Sequence, residues 1–452
     1  IDNNSQRFNL LAWHRDGPGK PPVLAVVAWL ELNGARGSMA TWDGARWDLY
    51  PEVPNPAAMG RSSLFDPDGD GPEPERVCAI RMGTAPSRVV MWNGAAWQPV
   101  GALTEPISST WGALASFDPD GPGPALPMLV HANQRVSAWS ASTGWQDLGL
   151  VASLFPHRVS SLLQFDPDAD GPQNPVLVLS GLFTSVGTIP ATNLAVLRGI
   201  DWEPMPGLSS PSPAGQMTIH DPDGPGGPQP PELLVPTRAS ADGTPGELFA
   251  WNGATWRTVL PGTYDTLPNI ATPQNAASIA APGLSGLYTF GRFTSLAGHP
   301  VASVGRVAQD TLAPLSDAPG AGFSSYVDSL IAIDLDGPGP QPTSLFAIGP
   351  TQTSGGQAIP GVARWNGRRW QPLSGAFRFI TDSSDVPGSI GSLSVVDPDG
   401  DGPAPEHTYL QGAFTAYGNV RGYGTVADFD GSAVSPLADG IREAIANPGS
   451  VL

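Results

Sequence analysis

The 452-residue sequence is poor in cysteine, in positive charge and in long apolar runs. Cys78 is its single cysteine, which excludes an internal disulfide framework. Lys20 is its single lysine and the net charge is −19, which argues against a nucleic-acid partner because nucleic acid selects basic surface. The longest apolar run, residues 23–32, is about half of the roughly 20 residues that a membrane-spanning helix needs, so we expect no membrane span.

Apolar residues at helical spacing are also missing, except in the tail at residues 439–445, where we expect one or two helical turns. Glycine and proline are abundant instead, with 55 and 51 residues. They recur in register with the repeats described next, as turn residues do. The composition therefore predicts strands and turns.

One acidic motif, Phe-Asp-Pro-Asp-Gly-Asp-Gly-Pro at residues 65–72, recurs along the whole chain. Copies lie near residues 16, 66, 118, 166, 221, 334 and 397, and a copy that has lost its aspartates is expected near residue 280. A second motif, Trp-Asn/Asp-Gly-x-x-Trp, alternates with it and is clear at residues 42–47, 92–97, 251–256 and 365–370. The two series predict eight repeats of just over 50 residues, a period typical of propeller blades.

Each repeat is predicted to contain four strands. Asn-Gly or Asp-Gly between apolar residues is the strongest short-range hairpin signal, and the acidic motif lies between two further apolar segments. A two-residue turn at Asn93-Gly94 would place Trp92 opposite Ala95, with the indoles on the buried side. The sequence therefore predicts an all-β fold, an eight-bladed β-propeller of four-stranded antiparallel blades over residues 1–438, followed by a tail over residues 439–452.

The acidic motif is also a candidate metal site. Asp-x-Asp-x-Asp-Gly spaces oxygen ligands at positions 1, 3 and 5, as calcium loops do. Three copies are complete, and they contain Asp66, Asp68, Asp70, Asp166, Asp168, Asp170, Asp397, Asp399 and Asp401. Three others have proline at position 5 and offer Asp118, Asp120, Asp221, Asp223, Asp334 and Asp336. The alternative is a turn whose aspartates accept backbone hydrogen bonds, and this interpretation is the stronger one for the two-aspartate copies.

With these acidic loops between strands, the chain resembles the FG-GAP and VCBS calcium-loop propellers, the architecture of the integrin α head. Its Trp-Asn-Gly-x-x-Trp hairpins also resemble those of secreted bacterial repeat proteins, with a kelch-like layout. Where the FG-GAP loop has an acidic residue at position 9, this chain has Pro74 and Pro405, with Glu75 and Glu406 one residue later. The resemblance implies a calcium-stabilised propeller. Extracellular calcium loops bind at about 10⁻⁴ to 10⁻³ M, which predicts a secreted or cell-surface protein, extracellular or periplasmic.

No catalytic constellation is evident in the sequence, which has no zinc motif and no nucleophile elbow. Our first hypothesis is therefore that the chain is not an enzyme. It would bind a protein or glycan at a loop face or channel mouth, or assemble with copies of itself at a cell surface or in a filament. The second hypothesis is a propeller-fold enzyme acting on extracellular polysaccharide, which requires carboxylates and a His or Tyr that converge and break the repeat. Candidate ligand contacts outside the repeat are Trp29, Trp111, Tyr264, Tyr326, Tyr417, Tyr423, Arg364, Arg368 and Arg369.

Overall fold

In the computed structural model, the described residues form strands and turns, and no helix occurs among them. The all-β prediction is confirmed. The structure describes residues 9–17, 19–53, 59–69, 71–81, 88–101, 112–121, 123, 125–153, 159–169, 171–205, 217–223, 227–237, 247–260, 264–265, 275–279, 281, 283–291, 293, 295–296, 303–308, 311–316, 322–334, 343–373, 375–380, 385–397, 406–421, 426–437 and 441–443.

Within these residues, eight antiparallel sheets share one up-and-down order of four strands. Sheet 1 contains β1 (Asn9–Trp13), β2 (Val23–Leu32), β3 (Ala35–Trp42) and β4 (Trp47–Tyr50); sheet 2 contains β5 (Met59–Phe65), β6 (Arg76–Arg81), β7 (Arg88–Trp92) and β8 (Trp97–Pro99). Sheet 3 contains β9 (Ala113–Phe117), β10 (Met128–Ala132), β11 (Arg135–Ser140) and β12 (Gly144–Ala152). Sheet 4 contains β13 (Val159–Phe165), β14 (Val176–Gly181), β17 (Leu194–Arg198) and β18 (Asp201–Pro204), and the short hairpin β15 (Ser185–Val186) and β16 (Ile189–Pro190) between them extends sheet 3.

The later sheets repeat this order. Sheet 5 contains β19 (Thr218–His220), β20 (Glu232–Pro236), β21 (Leu248–Trp251) and β22 (Trp256–Leu260); β23 (Tyr264–Asp265) pairs with β26 (Ser295–Leu296). Sheet 6 contains β24 (Asn275–Ile279), β25 (Gly286–Phe290), β27 (Val304–Ala308) and β28 (Thr311–Pro314); sheet 7 contains β29 (Ser329–Ile333), β30 (Ser344–Ser354), β31 (Gln357–Trp365) and β32 (Trp370–Pro372). The strands β33 (Phe377–Ile380), β34 (Asp385–Pro387), β37 (Ala416–Tyr417) and β38 (Val420–Arg421) form a small sheet, and sheet 8 contains β35 (Ser389–Val396), β36 (His407–Ala413), β39 (Val426–Phe429) and β40 (Val434–Pro436).

The Trp motif forms a larger turn than the sequence predicts. Trp92 pairs with Trp97 across the hairpin, so the prediction that Trp92 faces Ala95 is wrong. The reason is the Asn93 side chain, whose Oδ1 accepts the backbone N–H groups of Ala95 and Ala96 at 3.0 and 2.9 Å and so stabilises a four-residue loop. The indoles of Trp92 and Trp97 remain on the buried side, 4% and 2% exposed.

We expect Asn93→Ala to lower the free energy of unfolding by about 1 kcal/mol, because the two backbone N–H groups lose their acceptor. Urea denaturation measures the change. Asn93→Asp is the matched control, since Asp43 and Asp430 accept the same pair of bonds in other repeats. An equal loss of unfolding free energy in Asn93→Ala and Asn93→Asp would contradict this role of the side chain.

The chain divides into two compact units, residues 1–110, 334–341 and 374–452, and residues 111–333 and 342–373. In the first unit, both faces of β2 are buried because its side chains alternate. Val26 and Leu30 face a core shared with Val396 and Tyr409 of sheet 8, whereas Val27 faces a core shared with sheet 2. The sheets of the last and the first repeat are therefore in direct contact.

The predicted helical turn in the tail is wrong. Ile441 is buried in the core between sheets 1 and 8, and β41 (Arg442–Glu443) adds a short antiparallel strand to β2. Pairing with an available strand edge satisfies the backbone of these residues without a helix.

In the second unit, neighbouring sheets share one apolar core after another, from sheet 3 to sheet 7. The residue before each acidic loop anchors the end of its strand in such a core: Phe117 and Phe165 are fully buried, and His220 takes the same place in sheet 5. His220 Nδ1 lies 2.8 Å from Ser278 Oγ of sheet 6. The strands on either side of Ala280 belong to sheet 6, although Ala280 itself lies outside the described residues. The number of blades in a closed propeller stays a prediction.

Candidate functional sites

The two aspartates after β5 hold the backbone of the acidic loop. Asp66 Oδ1 accepts the N–H of Asp68 at 3.2 Å, and Asp68 Oδ2 accepts the N–H of Glu73 at 3.0 Å. The same two bonds recur in the loops that begin at residues 118, 166 and 221. The bonds expected for a simple turn are therefore present in loops with three aspartates and in loops with two.

The glycine at position 6 of the motif is needed for close approach to the middle aspartate. A Cβ atom on Gly71 would overlap the Asp68 carboxylate, and Gly171 stands in the same relation to Asp168. The absence of a side chain at this position lets the carboxylate fold back over the loop.

One carboxylate oxygen of the middle aspartate accepts neither of these hydrogen bonds. Oδ1 of Asp68, Asp120 and Asp168 is buried and has no hydrogen-bond partner among the described residues. A buried oxygen without a partner costs free energy. Burial and the hydrogen bond to Asp68 raise the pKa of Asp66 to about 6. Paired carboxylates with an unsatisfied hard oxygen are of the ligand type that calcium takes, so these residues are compatible with part of a calcium site.

The remaining predicted ligands are only partly placed. Asp70, Asp170, Asp336, Asp399 and Asp401 lie outside the described residues. Across the part of the chain that the structure describes, no three His, Cys, Asp or Glu side chains form a group that could hold a metal. The structure thus brings together the first two aspartates of the loops at residues 66, 118, 166 and 221, and it places Asp334 and Asp397 singly.

Glu75 and Glu406 contact the acidic loop of the preceding repeat. Burial, with Asp397 and Asp334, raises the pKa of Glu406, and the Asp334 backbone N–H donates to its carboxylate. Glu75 Oε2 likewise accepts the N–H of His14 at 3.4 Å. Sequence reasoning treated both glutamates as displaced loop residues and missed this bond between repeats, because spacing alone does not reveal which neighbour a side chain faces.

The first acidic motif is shifted by two residues relative to its sequence-based assignment. β1 ends at Trp13, and β5 ends at Phe65, the residue before Asp66. His14, and not Asp16, therefore takes the place of Asp66. The His14 Nδ1 atom lies 3.2 Å from Glu75 Oε2. A histidine at this position explains why the first loop lacks the paired carboxylates.

A polar cluster of His407, Asp428 and Asp430 lies on sheet 8. His407 Nδ1 on β36 lies 3.1 Å from Asp428 Oδ2 on β39, and the His407 and Tyr409 rings stack with centroids 6.0 Å apart. The side chains of His407 and Asp428 are 37% and 20% exposed, so the pair is accessible to solvent. Asp430 lies two residues later, in the hairpin turn after β39, and interacts electrostatically with both residues.

The two carboxylates of this cluster have pKa values shifted in opposite directions. Burial raises the pKa of Asp428, against the opposing effect of the His407 hydrogen bond. The pKa of Asp430 is lowered: burial opposes the shift, and the backbone N–H groups of Ala433 and Ser432 outweigh it. The pKa values of the two carboxylates are therefore shifted apart, a pattern also found in acid–base pairs.

A polar pocket of about 430 Å³ lies on sheet 7. Its lining is Ser316, Ser354, Gly355, Gly356, Gln357, Arg369 and Trp370. We call it the Arg369 pocket. Among the candidate contacts outside the repeat, Arg369 thus lines a cavity, whereas Trp111 and Tyr423 lie outside the described residues and only the strand backbone of Tyr264 is described.

Apart from Arg368, the other candidate contacts are held by neighbours in the protein. Trp29 Nε1 donates to Glu52 at 3.2 Å, and Arg36 lies over its ring at 5.4 Å. Tyr417 packs on Phe377 with centroids 4.9 Å apart. The Tyr326 carbonyl accepts the Gln352 amide at 3.1 Å, Arg364 donates to Ser344 Oγ, and Arg368 is exposed in the turn of its Trp hairpin.

A scan against models of known protein families finds no match, and a search of curated proteins finds none either. Solved structures do match, and one is a single-site variant of the fructofuranosidase from Schwanniomyces occidentalis, solved with fructosylnystose. The match has 11% identity and a TM-score of 0.26, and it covers 94% of this chain and 87% of that chain. FG-GAP or VCBS membership stays a resemblance.

The matched structure is that of an enzyme, so it gives no support to our hypothesis of a non-catalytic binding or structural protein, and we do not retain that hypothesis. The sequence could not reveal the polar cluster on sheet 8, since His407 and Asp428 lie on two strands and are 21 positions apart. The described residues contain no helix long and apolar enough to cross a bilayer.

Proposed function

We propose that the chain is an enzyme that hydrolyses glycosidic bonds of an extracellular polysaccharide. The observation that carries the proposal is the cluster of His407, Asp428 and Asp430, in which two carboxylates have oppositely shifted pKa values. Most glycoside hydrolysis uses two carboxyl groups, one as an acid and the other as a base or nucleophile. His407, Asp428 and Tyr409 supply the histidine, carboxylate and tyrosine that the sequence-based criterion requires, whereas Asp430 holds the turn position that Asp43 and Asn93 hold in other repeats.

The proposed roles follow the directions of the two pKa shifts. Asp428 would act as the acid and donate a proton to the glycosidic oxygen, and the leaving saccharide would depart as an alcohol. Asp430 would act as the base, take a proton from the water whose oxygen bonds to the anomeric carbon, and release it to solvent before the next turnover. His407, 3.1 Å from Asp428, would hold the acid in place and return a proton to it from solvent. One water is consumed for each bond broken.

The experiment is an assay of reducing ends released from a panel of fructans, glucans, xylans and uronans, in calcium, with purified full-length protein. Hydrolysis of at least one polysaccharide is the expected result. Hydrolysis that persists in an Asp428→Asn, Asp430→Asn double variant would place the activity elsewhere and refute the assignment. A wild-type protein inactive on the whole panel would count against a polysaccharide hydrolase.

We further propose that the acidic loops bind calcium, in the manner of the FG-GAP-type loops that they resemble. The support is the buried, unpartnered Oδ1 of Asp68, Asp120 and Asp168. An affinity in the range typical of extracellular modules would fill the loops outside a cell, so a secreted or cell-surface location belongs to the same proposal. Calcium would neutralise the carboxylate pairs and link the two strands that flank each loop.

A further inference from the structure

The Arg369 pocket is built from the turns of sheet 7. Gly355 and Gly356 form the tight turn between β30 and β31, and Arg369 and Trp370 end the Trp hairpin between β31 and β32. The two glycines carry no side chain, so a ligand can approach the backbone there. The Gln357 amide and the hydroxyl of Ser354 add polar groups to the lining. Such a polar lining suits a hydroxylated ligand better than an apolar one.

Arg369 carries a positive charge that has no ion pair among the residues that the structure describes. The chain has a net charge of −19, and eight described arginines lie within ion-pair distance of a carboxylate: Arg15, Arg36, Arg46, Arg76, Arg135, Arg198, Arg257 and Arg378. For Arg369, no such carboxylate is found among the residues that the structure describes. Its guanidinium is exposed at the pocket wall.

The first repeat contains a natural comparison for this position. Arg46 stands where Arg369 stands in the Trp hairpin, and its guanidinium lies 3.5 Å from Asp43 and 3.6 Å from Asp48. In sheet 7 the two equivalent positions hold the neutral amides Asn366 and Gln371. Asn366 still accepts the backbone bonds of the turn, so the substitution changes the charge and not the turn.

We propose that the Arg369 pocket binds an acidic saccharide, with the guanidinium paired to an oxyanion on the sugar ring. A uronate carboxylate and a sulfate ester share this chemistry, and both match the paired N–H donors of arginine. The Gln357 amide, the serine hydroxyls and the open turn backbone supply partners for ring hydroxyls. The site lies on sheet 7, and its ligand binding requires no turnover by the cluster on sheet 8.

The test is isothermal titration of the full chain with three tetrasaccharides in one buffer: a uronate, a sulfated one and a neutral one. We expect one acidic tetrasaccharide to bind, and Arg369→Ala to weaken it about tenfold or more, since a hydrogen-bonded charge pair is lost. Arg46→Ala, the matched control, should leave the affinity unchanged. The uronate and sulfate arms distinguish the two anions.

A second variant guards against a folding defect. Asn366→Asp with Gln371→Asp reproduces the neutralised arrangement of Arg46, keeps the arginine, and should weaken the acidic tetrasaccharide to a similar degree. The proposal is overturned if neither acidic tetrasaccharide binds, if the neutral one binds equally well, or if Arg369→Ala and Arg46→Ala have the same affinity. Because binding is measured without turnover, these results are independent of whether the protein hydrolyses polysaccharide.

Discussion

Asp428→Asn should lower kcat for polysaccharide hydrolysis by a factor of about 10² to 10⁴, the range typical of losing a positioned acid. The amide keeps the size of the side chain and can still contact His407, but it cannot donate a proton to the glycosidic oxygen. We therefore expect KM to change little, because the variant removes an interaction made in the transition state. Initial rates of reducing-end release, on whichever polysaccharide the wild type cleaves, measure both constants.

The controls use positions whose structural role is known from other repeats. Asp430→Asn keeps the turn, since Asn93 accepts the same backbone bonds, yet it removes the proposed base and should also be inactive. Asp147→Asn removes a carboxylate that pairs with Arg135 on sheet 3 and should retain full activity. Full activity of Asp430→Asn with a loss in Asp147→Asn would show that the wrong cluster has been assigned.

Removal of calcium should lower the free energy of unfolding by about 4 to 8 kcal/mol in total. At 10 mM calcium and a dissociation constant of about 10⁻⁴ to 10⁻³ M, each occupied loop is stabilised by about 1.4 to 2.7 kcal/mol. The total counts the three loops that have three aspartates. A thermal melt in calcium, compared with one in excess chelator, measures the effect as a lower midpoint in chelator. Magnesium, which demands a regular octahedral site, should restore less stability than calcium.

The contribution of a single loop to the calcium stabilisation can be measured by substitution. Asp68→Asn removes the charge of the oxygen that lacks a partner and should cancel one loop's share of the calcium effect, about 1.4 to 2.7 kcal/mol. Asp223→Asn is the matched control, because this loop has only two aspartates and Asp223 has no buried unpartnered oxygen among the described atoms. Identical melts in calcium and in chelator would exclude a stabilising role for the metal.

The repeating strands could be predicted because each is specified locally. Phe165 and the acidic residues after it mark a strand end wherever the motif occurs, and the described residues show one sheet of four strands around each copy. The geometry of the turns was harder to predict from the sequence. Asn93 favours a four-residue loop through two side-chain bonds, and the same dipeptide also fits a two-residue turn, so the sequence alone favoured the wrong register.

The candidate sites also differ in how far the sequence predicts them. Aspartate pairs within a loop are local, and their contacts agree with the spacing in the sequence. The contact between His407 and Asp428 joins two strands, and its chemistry depends on burial, which no spacing reveals. Arg369 was visible as one member of a basic cluster, but its lack of a carboxylate neighbour became evident only beside the paired Arg46.

The pH dependence of polysaccharide hydrolysis tests the proposed acid–base cluster most directly. Because Asp428 must hold its proton and burial raises its pKa, activity should fall on the alkaline side as Asp428 ionises, and on the acidic side as Asp430 becomes protonated. We predict a bell-shaped pH profile of kcat/KM for the wild type. In Asp428→Asn, the pH profile of the residual kcat/KM should have no alkaline limb. The same two limbs in the variant and in the wild type would contradict it.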